Sequence, residues 1–286
     1  MSVSSSSSSR PDALSGPAVA AALRAAGCVF AEDEARLLIS AAPTSDRLAA
    51  MVARRVSGLP LEHVIGWAEF CGLRVAVDPG VFVPRRRTEF LARRAADLAH
   101  RVAPPQSGRL PRADAAVVVD LCCGSGAVGA AVAAALGRVE LHAADIDPAA
   151  VRCARRNLAA FGGRVHEGDL YAALPAALRG RVDVLIANVP YVPTAAVGLL
   201  PPEARVHEPR TALDGGADGL DVLRRVAAEA PEWLAPGGRL LVETGEDQAP
   251  IAVAACGRSG LSARAAASDE HQATIVIATR RGDTSE

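Results

Sequence analysis

The stretch Asp120-Leu121-Cys122-Cys123-Gly124-Ser125-Gly126-Ala127-Val128-Gly129 lies between two apolar runs. The first run, Ala116 to Asp120, is typical of a buried strand, and the second, Ala127 to Leu136, is long enough for a helix. Glycines at such a junction permit a tight turn and let a cofactor lie on the backbone. The helix start adds unpaired N–H groups and a positive dipole end. The stretch therefore predicts a cofactor-binding loop in an α/β fold.

Strands and helices continue to alternate after this loop. The expected order is strand Val139 to Ala144, helix Pro148 to Phe161, strand Val182 to Ala187, helix Leu220 to Leu234 ended by Pro236-Gly237-Gly238, and strands Arg239 to Glu243 and Thr274 to Ala278. Such alternation predicts a parallel, doubly wound sheet over residues 115–280.

The chain before the loop has a different character. Residues 1–15 predict a disordered tail because Ser, Pro and Gly bury little apolar surface, and residues 104–114 predict a linker. Residues 16–103 predict a helical domain with a β-hairpin. Its expected elements are helices Ala18 to Ala26, Glu32 to Ala41 and Ser45 to Val56 (capped by Ser45), a hairpin within Glu69 to Val83, and a helix from Arg87 to about Ala103.

Three acidic residues bear on the choice of cofactor. Asp145 follows the second strand about twenty residues beyond the loop, where a carboxylate can accept hydrogen bonds from ribose hydroxyls. Asp169 follows the next short strand, where an adenine amino group would sit. Asp120 would repel a pyrophosphate but attract the ammonium of methionine, which favours S-adenosylmethionine over a nicotinamide. Two alternatives stay open: Asp145 and Asp147 as caps of the helix at Pro148, and Asp169 as a turn residue.

Composition narrows the class of protein. The 286 residues are 50% hydrophobic and 22% charged, with a formal net charge of −1, which argues against broad nucleic-acid binding. The six cysteines show no zinc spacing, so we expect no metal site. The start lacks the apolar core of a signal peptide, and the longest uncharged stretch, Leu121 to Gly137, is too short to span a membrane. We expect a cytoplasmic protein.

A tetrad, Asn188-Val189-Pro190-Tyr191, follows the predicted strand Val182 to Ala187. Ligands bind at the carboxyl ends of strands in such sheets. The Asn188 side-chain oxygen and the next backbone carbonyl can accept both N–H bonds of a planar amide, with its lone pair aimed at a methyl carbon. Pro190 stiffens the turn, and Tyr191 can stack on a planar group. We predict all four as catalytic residues.

The tetrad resembles the Asn-Pro-Pro-Tyr motif of amino-methyltransferases, which include adenine-N6 enzymes and release factor (protein-glutamine N5) methyltransferases. Further segments resemble the second group and cover residues 30 to 280. These segments are Gly58-Leu59-Pro60-Leu61-Glu62-His63-Val64-Ile65-Gly66, Glu69-Phe70-Cys71-Gly72, Val83-Pro84-Arg85-Arg86-Arg87-Thr88-Glu89, His207-Glu208-Pro209-Arg210-Thr211-Ala212-Leu213 and Gly215-Gly216-Ala217-Asp218-Gly219-Leu220.

The resemblance implies a Rossmann-like class I S-adenosylmethionine-dependent methyltransferase domain. It implies a protein substrate, the glutamine of the Gly-Gly-Gln motif of a peptide-chain release factor, docked with help from the N-terminal helical domain. The predicted cofactor-binding residues are Asp120, Cys122, Gly124, Ser125, Gly126, Asp145, Ile146, Asp169, Leu170 and Asn188.

Two positions depart from the family pattern. Val189 replaces the first proline of the tetrad, and Leu170, followed by Tyr171, replaces an aromatic residue. We interpret the chain as a divergent branch. An adenine-N6 nucleic-acid methyltransferase and a non-catalytic cofactor-binding regulator remain as alternatives. Arg85 to Arg87 are interpreted as a solvated face, with Arg85 alternatively ordering a domain junction, and His207 and Glu208 as a lid or structural turn.

Overall fold

The computed structural model describes residues 15–102 and 115–282, so the expected linker and most of the expected tail lie outside the described residues. The chain divides into two compact units at Gly66–Trp67. This boundary lies earlier than residue 103, where the sequence predicted it. The reason is that the hairpin and the helix that follows it share a hydrophobic core with the sheet, through residues such as Phe70 and Leu91.

From residue 15 onward, where the structure describes it, the first unit contains four helices: α1 Gly16–Ala25, α2 Ala31–Ala41, α3 Ser45–Val56 and α4 Leu61–Ile65. Their apolar faces meet in one core that includes Leu23, Leu38 and Met51. The predicted cap of α3 is wrong by one residue, because the side chain of Thr44, not Ser45, accepts the hydrogen bond from the Arg47 amide.

The second unit begins with a two-stranded hairpin, β1 Trp67–Phe70 and β2 Leu73–Ala76. Cys71 and Gly72 form its two-residue turn, with φ angles of 50° and 76°. Two consecutive positive φ angles suit the twist of a hairpin. The hairpin is therefore confirmed, although it ends at Ala76 rather than Val83. A short 3₁₀ turn, Arg86–Thr88, then leads into α5 Glu89–Val102.

The central sheet has seven strands among the described residues: β3 Ala116–Leu121, β4 Val139–Asp145, β5 Arg164–Glu167, β6 Val182–Ala187, β7 Leu234–Thr244, β8 Leu261–Ser268 and β9 Ala273–Arg280. Their order is β5-β4-β3-β6-β7-β9-β8. The strands from β5 to β7 are parallel, as predicted, but β9 is antiparallel to both of its neighbours. A short turn joins β8 to β9, and such a connection forces antiparallel pairing.

The remaining helices of the second unit are α6 Ala127–Leu136, α7 Pro148–Leu158, α8 Pro202–His207, α9 Asp221–Trp233 and α10 Ala249–Arg258. Alternate strand residues point to opposite faces: Val118 packs with α5, α6 and α7, whereas Val119 packs with α9 and α10. Helices on both faces confirm the predicted doubly wound α/β fold.

Two details of the C-terminal third differ from the prediction. Helix α9 ends at Trp233, and Pro236-Gly237-Gly238 lies inside β7, where the register with β6 shifts between Val182 and Val184. A Cβ on Gly238 would lie 2.6 Å from the carbonyl oxygen of Val182, so this irregularity requires glycine. Helix α10 and strand β8 were not predicted.

Within the described ranges, no helix is both long enough and apolar enough to cross a membrane.

Candidate active site

The second unit contains a cavity of about 590 Å³ at the carboxyl ends of β3, β4, β6 and β7. The strand order reverses beside β3, which has β4 on one side and β6 on the other, and ligands bind at such switch points. Every predicted site residue except Gly126 lines this cavity. The lining ones are Asp120, Cys122, Gly124, Ser125, Asp145, Ile146, Asp169, Leu170, Asn188, Val189, Pro190 and Tyr191.

The cavity has two ends. The cofactor end comprises Asp120, Cys122 to Gly126, Asp145 and Asp169. The acceptor end comprises Arg87, Thr88, Asn188 to Tyr191, and Glu243. All except Gly126 are assigned by the lining of the cavity, and Gly126 by its place in the loop.

The loop after β3 depends on left-handed backbone positions. Cys122, Gly124 and Gly126 have φ angles of 54°, 55° and 78°. A Cβ on Gly126 would lie 3.2 Å from both Ala154 and Leu158 of α7, so this glycine serves the turn and the packing of α6 on α7. Gly126 does not line the cavity, so its position does not support the predicted contact with the cofactor. The positive φ of Cys122 costs conformational free energy, and such strained residues are often found at functional sites.

Asp120 is almost completely buried at the end of β3. Its Oδ2 accepts a hydrogen bond of 2.9 Å from the amide of Gly129, where a Cβ would lie 3.2 Å from the same oxygen. Burial, which disfavours the charged form, raises the pKa of Asp120 to about 7. A cationic group entering the cavity would relieve this penalty, whereas a pyrophosphate would worsen it.

Asp145 and Asp147 have different roles. The Asp145 carboxylate accepts hydrogen bonds from the amides of Gly124 (2.8 Å) and Asp147 (2.9 Å), one on each oxygen. Asp147 caps α7 through the amide of Ala149 at 2.8 Å, so the prediction of Asp147 as the cap is confirmed and that of Asp145 is wrong. Burial raises the pKa of Asp145. Each of its oxygens keeps a lone pair for a ribose hydroxyl.

Asp169 and Leu170 follow β5. The Asp169 Oδ2 accepts a hydrogen bond of 2.6 Å from Arg225 of α9, which leaves Oδ1 for an adenine amino group. Leu170 is buried with a φ of 46°. Tyr171 is also buried, and its hydroxyl donates to the carbonyl of Val226 at 2.7 Å. Tyr171 is therefore a core residue and does not replace the family's aromatic residue in the cavity.

The tetrad begins directly after β6. Asn188 is half-buried, and the buried Val189 side chain belongs to the core between the sheet and α9. The Tyr191 hydroxyl donates a hydrogen bond of 2.8 Å to Oε1 of Glu243. Burial and the nearby Glu243 charge raise the pKa of Tyr191, so its phenol stays neutral. Val189 stands where the family has proline. Because its side chain points into the core, this replacement changes a core contact and leaves the backbone carbonyl in place.

The segment after the tetrad fits closely around it. A Cβ on Gly215 would lie 2.6 Å from the carbonyl oxygen of Pro190, and a Cβ on Gly219 would lie 2.3 Å from that of Tyr191. The side chain of Gln248 donates to the same Tyr191 carbonyl at 3.0 Å. The two glycines therefore permit the backbone approach that holds the tetrad in place.

Glu208 has a structural role. Its buried carboxylate accepts hydrogen bonds of 2.6 and 2.7 Å from Arg85 and one of 3.1 Å from the amide of Val83. These bonds agree with the interpretation of Glu208 as part of a structural turn. Arg85 is thus paired and only partly exposed, so the expectation of a solvated arginine face is wrong for Arg85. Arg86 and Arg87 are exposed, as expected, and Arg87 also bonds to Glu243.

The sequence analysis assigned no role at the site to many lining residues, among them Thr88, Arg225 and Glu243. Glu243 lies next to the end of β7, so the rule that ligands bind at carboxyl ends of strands could have identified it. Arg225 and Thr88 carry no such signal, because both lie on helical turns whose packing is set by the tertiary fold. Among the described residues, no group of three or more His, Cys, Asp or Glu side chains could hold a metal ion.

Comparison with known proteins identifies the family. Residues 107–213 match the family model of the methyltransferase small domain. The chain is 38% identical over 234 residues to the release factor glutamine methyltransferase of Geobacter sulfurreducens, which covers 81% of this chain and 77% of that one. The chain belongs to the release factor glutamine methyltransferase family.

Other relatives share the sequence or the fold. The 4-amino-L-phenylalanine/4-methylamino-L-phenylalanine methyltransferase of Streptomyces pristinaespiralis is 38% identical over 210 residues, which cover 73% of this chain and 68% of that one. A methyltransferase structure from Pyrococcus furiosus superimposes with a TM-score of 0.52 at 17% identity, covering 84% of this chain and all of that one. This structural match shows the fold alone.

The enzyme is therefore a methyltransferase dependent on S-adenosylmethionine, as the sequence predicted. The cofactor end has groups that suit this molecule: a buried carboxylate, Asp120, suits a cation, and the two carboxylate oxygens of Asp145 suit hydroxyl groups. Of the two cofactors that the glycine loop left open, S-adenosylmethionine is the one that the family uses.

Proposed function

We propose that this enzyme transfers a methyl group from S-adenosylmethionine to the side-chain amide nitrogen (N5) of a glutamine in a protein. The proposed substrate is the Gly-Gly-Gln motif of a peptide-chain release factor. The observation that carries the proposal is the position of Asn188-Val189-Pro190-Tyr191, which lines the same cavity as Asp120 and Asp145. The name of the Geobacter sulfurreducens relative supports the substrate.

The bound cofactor supplies an electrophilic methyl group on a sulfonium. The residues of the enzyme hold the amide against it: the Asn188 side-chain oxygen and the Val189 carbonyl each accept one N–H bond, which fixes the plane of the amide and the direction of its lone pair. Pro190 stiffens the turn, and the Tyr191 ring packs on the amide plane. In the proposed transfer the N–CH3 bond would form as the S–CH3 bond breaks, leaving S-adenosylhomocysteine, and one N–H proton of the amide would be lost to water. The gain in rate comes from position rather than from a strong base.

The cofactor is assigned to the remaining predicted residues. Asp120 binds the methionine ammonium, and Asp145 binds the ribose hydroxyls. The adenine lies among the neighbouring side chains and the loop, which comprise Cys122, Gly124, Ser125, Ile146, Asp169 and Leu170. Gly126 supports the loop from behind.

The wider setting is also part of the proposal. The helical unit, residues 16–66, helps to dock the release factor, and the reaction takes place in the cytoplasm. A nucleic-acid substrate is disfavoured by the formal net charge of −1, because binding to phosphates relies on a basic surface. No metal is assigned a role.

A second candidate is methylation of a small aromatic amine. It is favoured by the Streptomyces pristinaespiralis relative, whose name specifies such a substrate and whose identity to this chain is also 38%. An aromatic amine would occupy the same acceptor end, with its N–H bonds on Asn188 and Val189.

The test is methyl transfer from labelled S-adenosylmethionine to a purified release factor, beside the same factor with its Gly-Gly-Gln glutamine changed to alanine. We expect label on the first protein and none on the second. Label on both would place the methyl group elsewhere and disprove the glutamine assignment. Label on neither, together with label on 4-amino-L-phenylalanine, would favour the second candidate.

A further inference from the structure

A buried carboxylate, Glu243, lies at the acceptor end of the cavity. Its side chain is 2% exposed, and it lines the cavity together with Asn188 and Tyr191. Oε1 accepts two hydrogen bonds, from the Tyr191 hydroxyl at 2.8 Å and from Arg87 Nε at 3.1 Å. The Arg87 guanidinium also lies 5.6 Å from the centre of the Tyr191 ring. Oε1 of Glu243 therefore already accepts hydrogen bonds from two side chains of the protein.

The other oxygen, Oε2, is not. Among the described residues it has no hydrogen-bond partner, and it is shielded from solvent. The hydroxyl of Thr88, which lines the same cavity and follows Arg87 in the chain, is likewise buried without a partner. Buried polar atoms are normally paired, because an unpaired one keeps its full desolvation cost. Two such atoms on one cavity indicate partners that a ligand brings.

We propose that Glu243 determines substrate specificity at the acceptor end by binding the substrate directly through Oε2. A carboxylate only accepts hydrogen bonds, so its partner must be an N–H or an O–H group. The Gly-Gly-Gln motif carries N–H groups but no hydroxyl. The glutamine amide already uses its two N–H bonds on Asn188 and Val189. The partner of Oε2 is therefore a main-chain N–H of the substrate loop, and Thr88 donates its hydroxyl to a substrate carbonyl oxygen.

The negative charge of Glu243 also disfavours binding of a substrate that has glutamate in place of the glutamine. A glutamate side chain in place of the glutamine would bring a second carboxylate next to the buried Glu243 carboxylate, and like charges repel more strongly away from water. Glu243 thus contributes to the choice of amide over carboxylate. This inference rests on the proposed function, since it concerns the substrate of that same site.

The experiment compares two release factors, one with Gly-Gly-Gln and one with Gly-Gly-Glu, as ligands of the enzyme. Affinities are measured by calorimetry with S-adenosylhomocysteine present, and methyl transfer to the Gly-Gly-Gln factor is measured separately. The variants are Glu243→Gln, Tyr191→Phe and the control Glu246→Gln, whose side chain is exposed. Thermal unfolding and cofactor affinity check that each variant is folded.

We expect Glu243→Gln to weaken binding of the Gly-Gly-Gln factor about 10-fold, because a charged acceptor becomes a neutral one. Its preference for Gly-Gly-Gln over Gly-Gly-Glu should fall about 10-fold or more. Tyr191→Phe, which leaves Oε2 in place, should lower kcat and keep the preference. Glu246→Gln should match the wild type in all respects.

The outcomes separate the two proposals. If the wild type methylates glutamine but Glu243→Gln keeps the wild-type preference, the role of Glu243 is disproved and the proposed function stands. If the wild type leaves the Gly-Gly-Gln factor unlabelled, the proposed function fails, and the binding preference alone then decides the role of Glu243. Binding of neither factor would overturn both proposals.

Discussion

The cofactor end and the acceptor end of the cavity differ in how far apart their contacts lie along the chain. At the cofactor end, the bonds from Gly129 to Asp120 and from Gly124 to Asp145 span 9 and 21 residues. At the acceptor end, the bonds from Tyr191 and Arg87 to Glu243 span 52 and 156 residues. The Asp120 and Asp145 part of the cofactor end therefore belongs to one βαβ unit, and only Asp169, bonded to Arg225 56 residues away, lies outside it. The acceptor end requires the whole second unit to fold.

This difference predicts a separation of function. Substitutions at the cofactor end should change the affinity for S-adenosylmethionine and leave transfer from the bound complex largely intact. Substitutions at the acceptor end should do the reverse.

The largest effect is expected from Asn188→Ala, which removes one of the two oxygens that orient the amide. We expect kcat to fall about 100-fold or more, since a small misplacement of reacting groups costs that much. Cofactor affinity should change by less than about 3-fold, a shift well under 1 kcal/mol. Single-turnover transfer and calorimetry measure the two quantities. A normal rate would show that Asn188 is not catalytic.

Asp145→Ala is the matching change at the cofactor end. Loss of hydrogen bonds to a charged acceptor should weaken S-adenosylmethionine binding about 10- to 100-fold. The control is Asp147→Ala, which removes the cap of α7 and should lower stability by about 1 kcal/mol while leaving the affinity close to normal. Equal losses of affinity in both variants would contradict the ribose assignment.

The same difference explains how much could be predicted from the sequence. Asp120, Asp145 and the glycine loop were identified because a short motif carries their geometry. The antiparallel β8 was missed because Leu261–Ser268 is rich in alanine and shows no clean alternation. Glu243 was missed because its partners, Arg87 and Tyr191, lie far away in the chain, and Thr88 because only the tertiary fold brings it to the cavity. The core position of Tyr171 likewise depends on α9, which lies about fifty residues later.

Gly219→Ala tests whether the acceptor end depends on close backbone packing. The new Cβ would lie 2.3 Å from the Tyr191 carbonyl oxygen and 2.4 Å from the Gln248 side chain, at a φ of 78°. The matched control is Gly260→Ala, where φ is 83° but no atom lies within 4 Å. We expect Gly219→Ala to lose about 1–3 kcal/mol more stability than the control.

The free energies of unfolding come from urea titrations of both variants, and kcat should fall for Gly219→Ala alone. Equal destabilisation would mean that backbone strain, rather than the contact with the tetrad, accounts for both losses.

The smallest expected effect concerns pH and the cofactor end. Burial raises the pKa of Asp120 from 3.8 to about 7, so the folded protein holds a proton between these values that the unfolded chain has lost. Asp120 therefore lowers stability as pH rises through this window. The methionine ammonium favours the carboxylate, so cofactor binding should release this proton and strengthen as pH rises from 6 to 7, by at most about 10-fold.

Calorimetry in buffers of different ionisation enthalpy measures the proton release directly. Asp120→Asn is neutral at every pH, and we expect it to bind the cofactor more weakly, without proton release and without this pH dependence. If the wild type released no proton at pH 6, Asp120 would already be ionised in the free enzyme, and its attraction for the ammonium would not depend on pH. If Asp120→Asn kept the wild-type affinity, the ammonium would bind elsewhere, and the first contact assigned to the cofactor end would be lost.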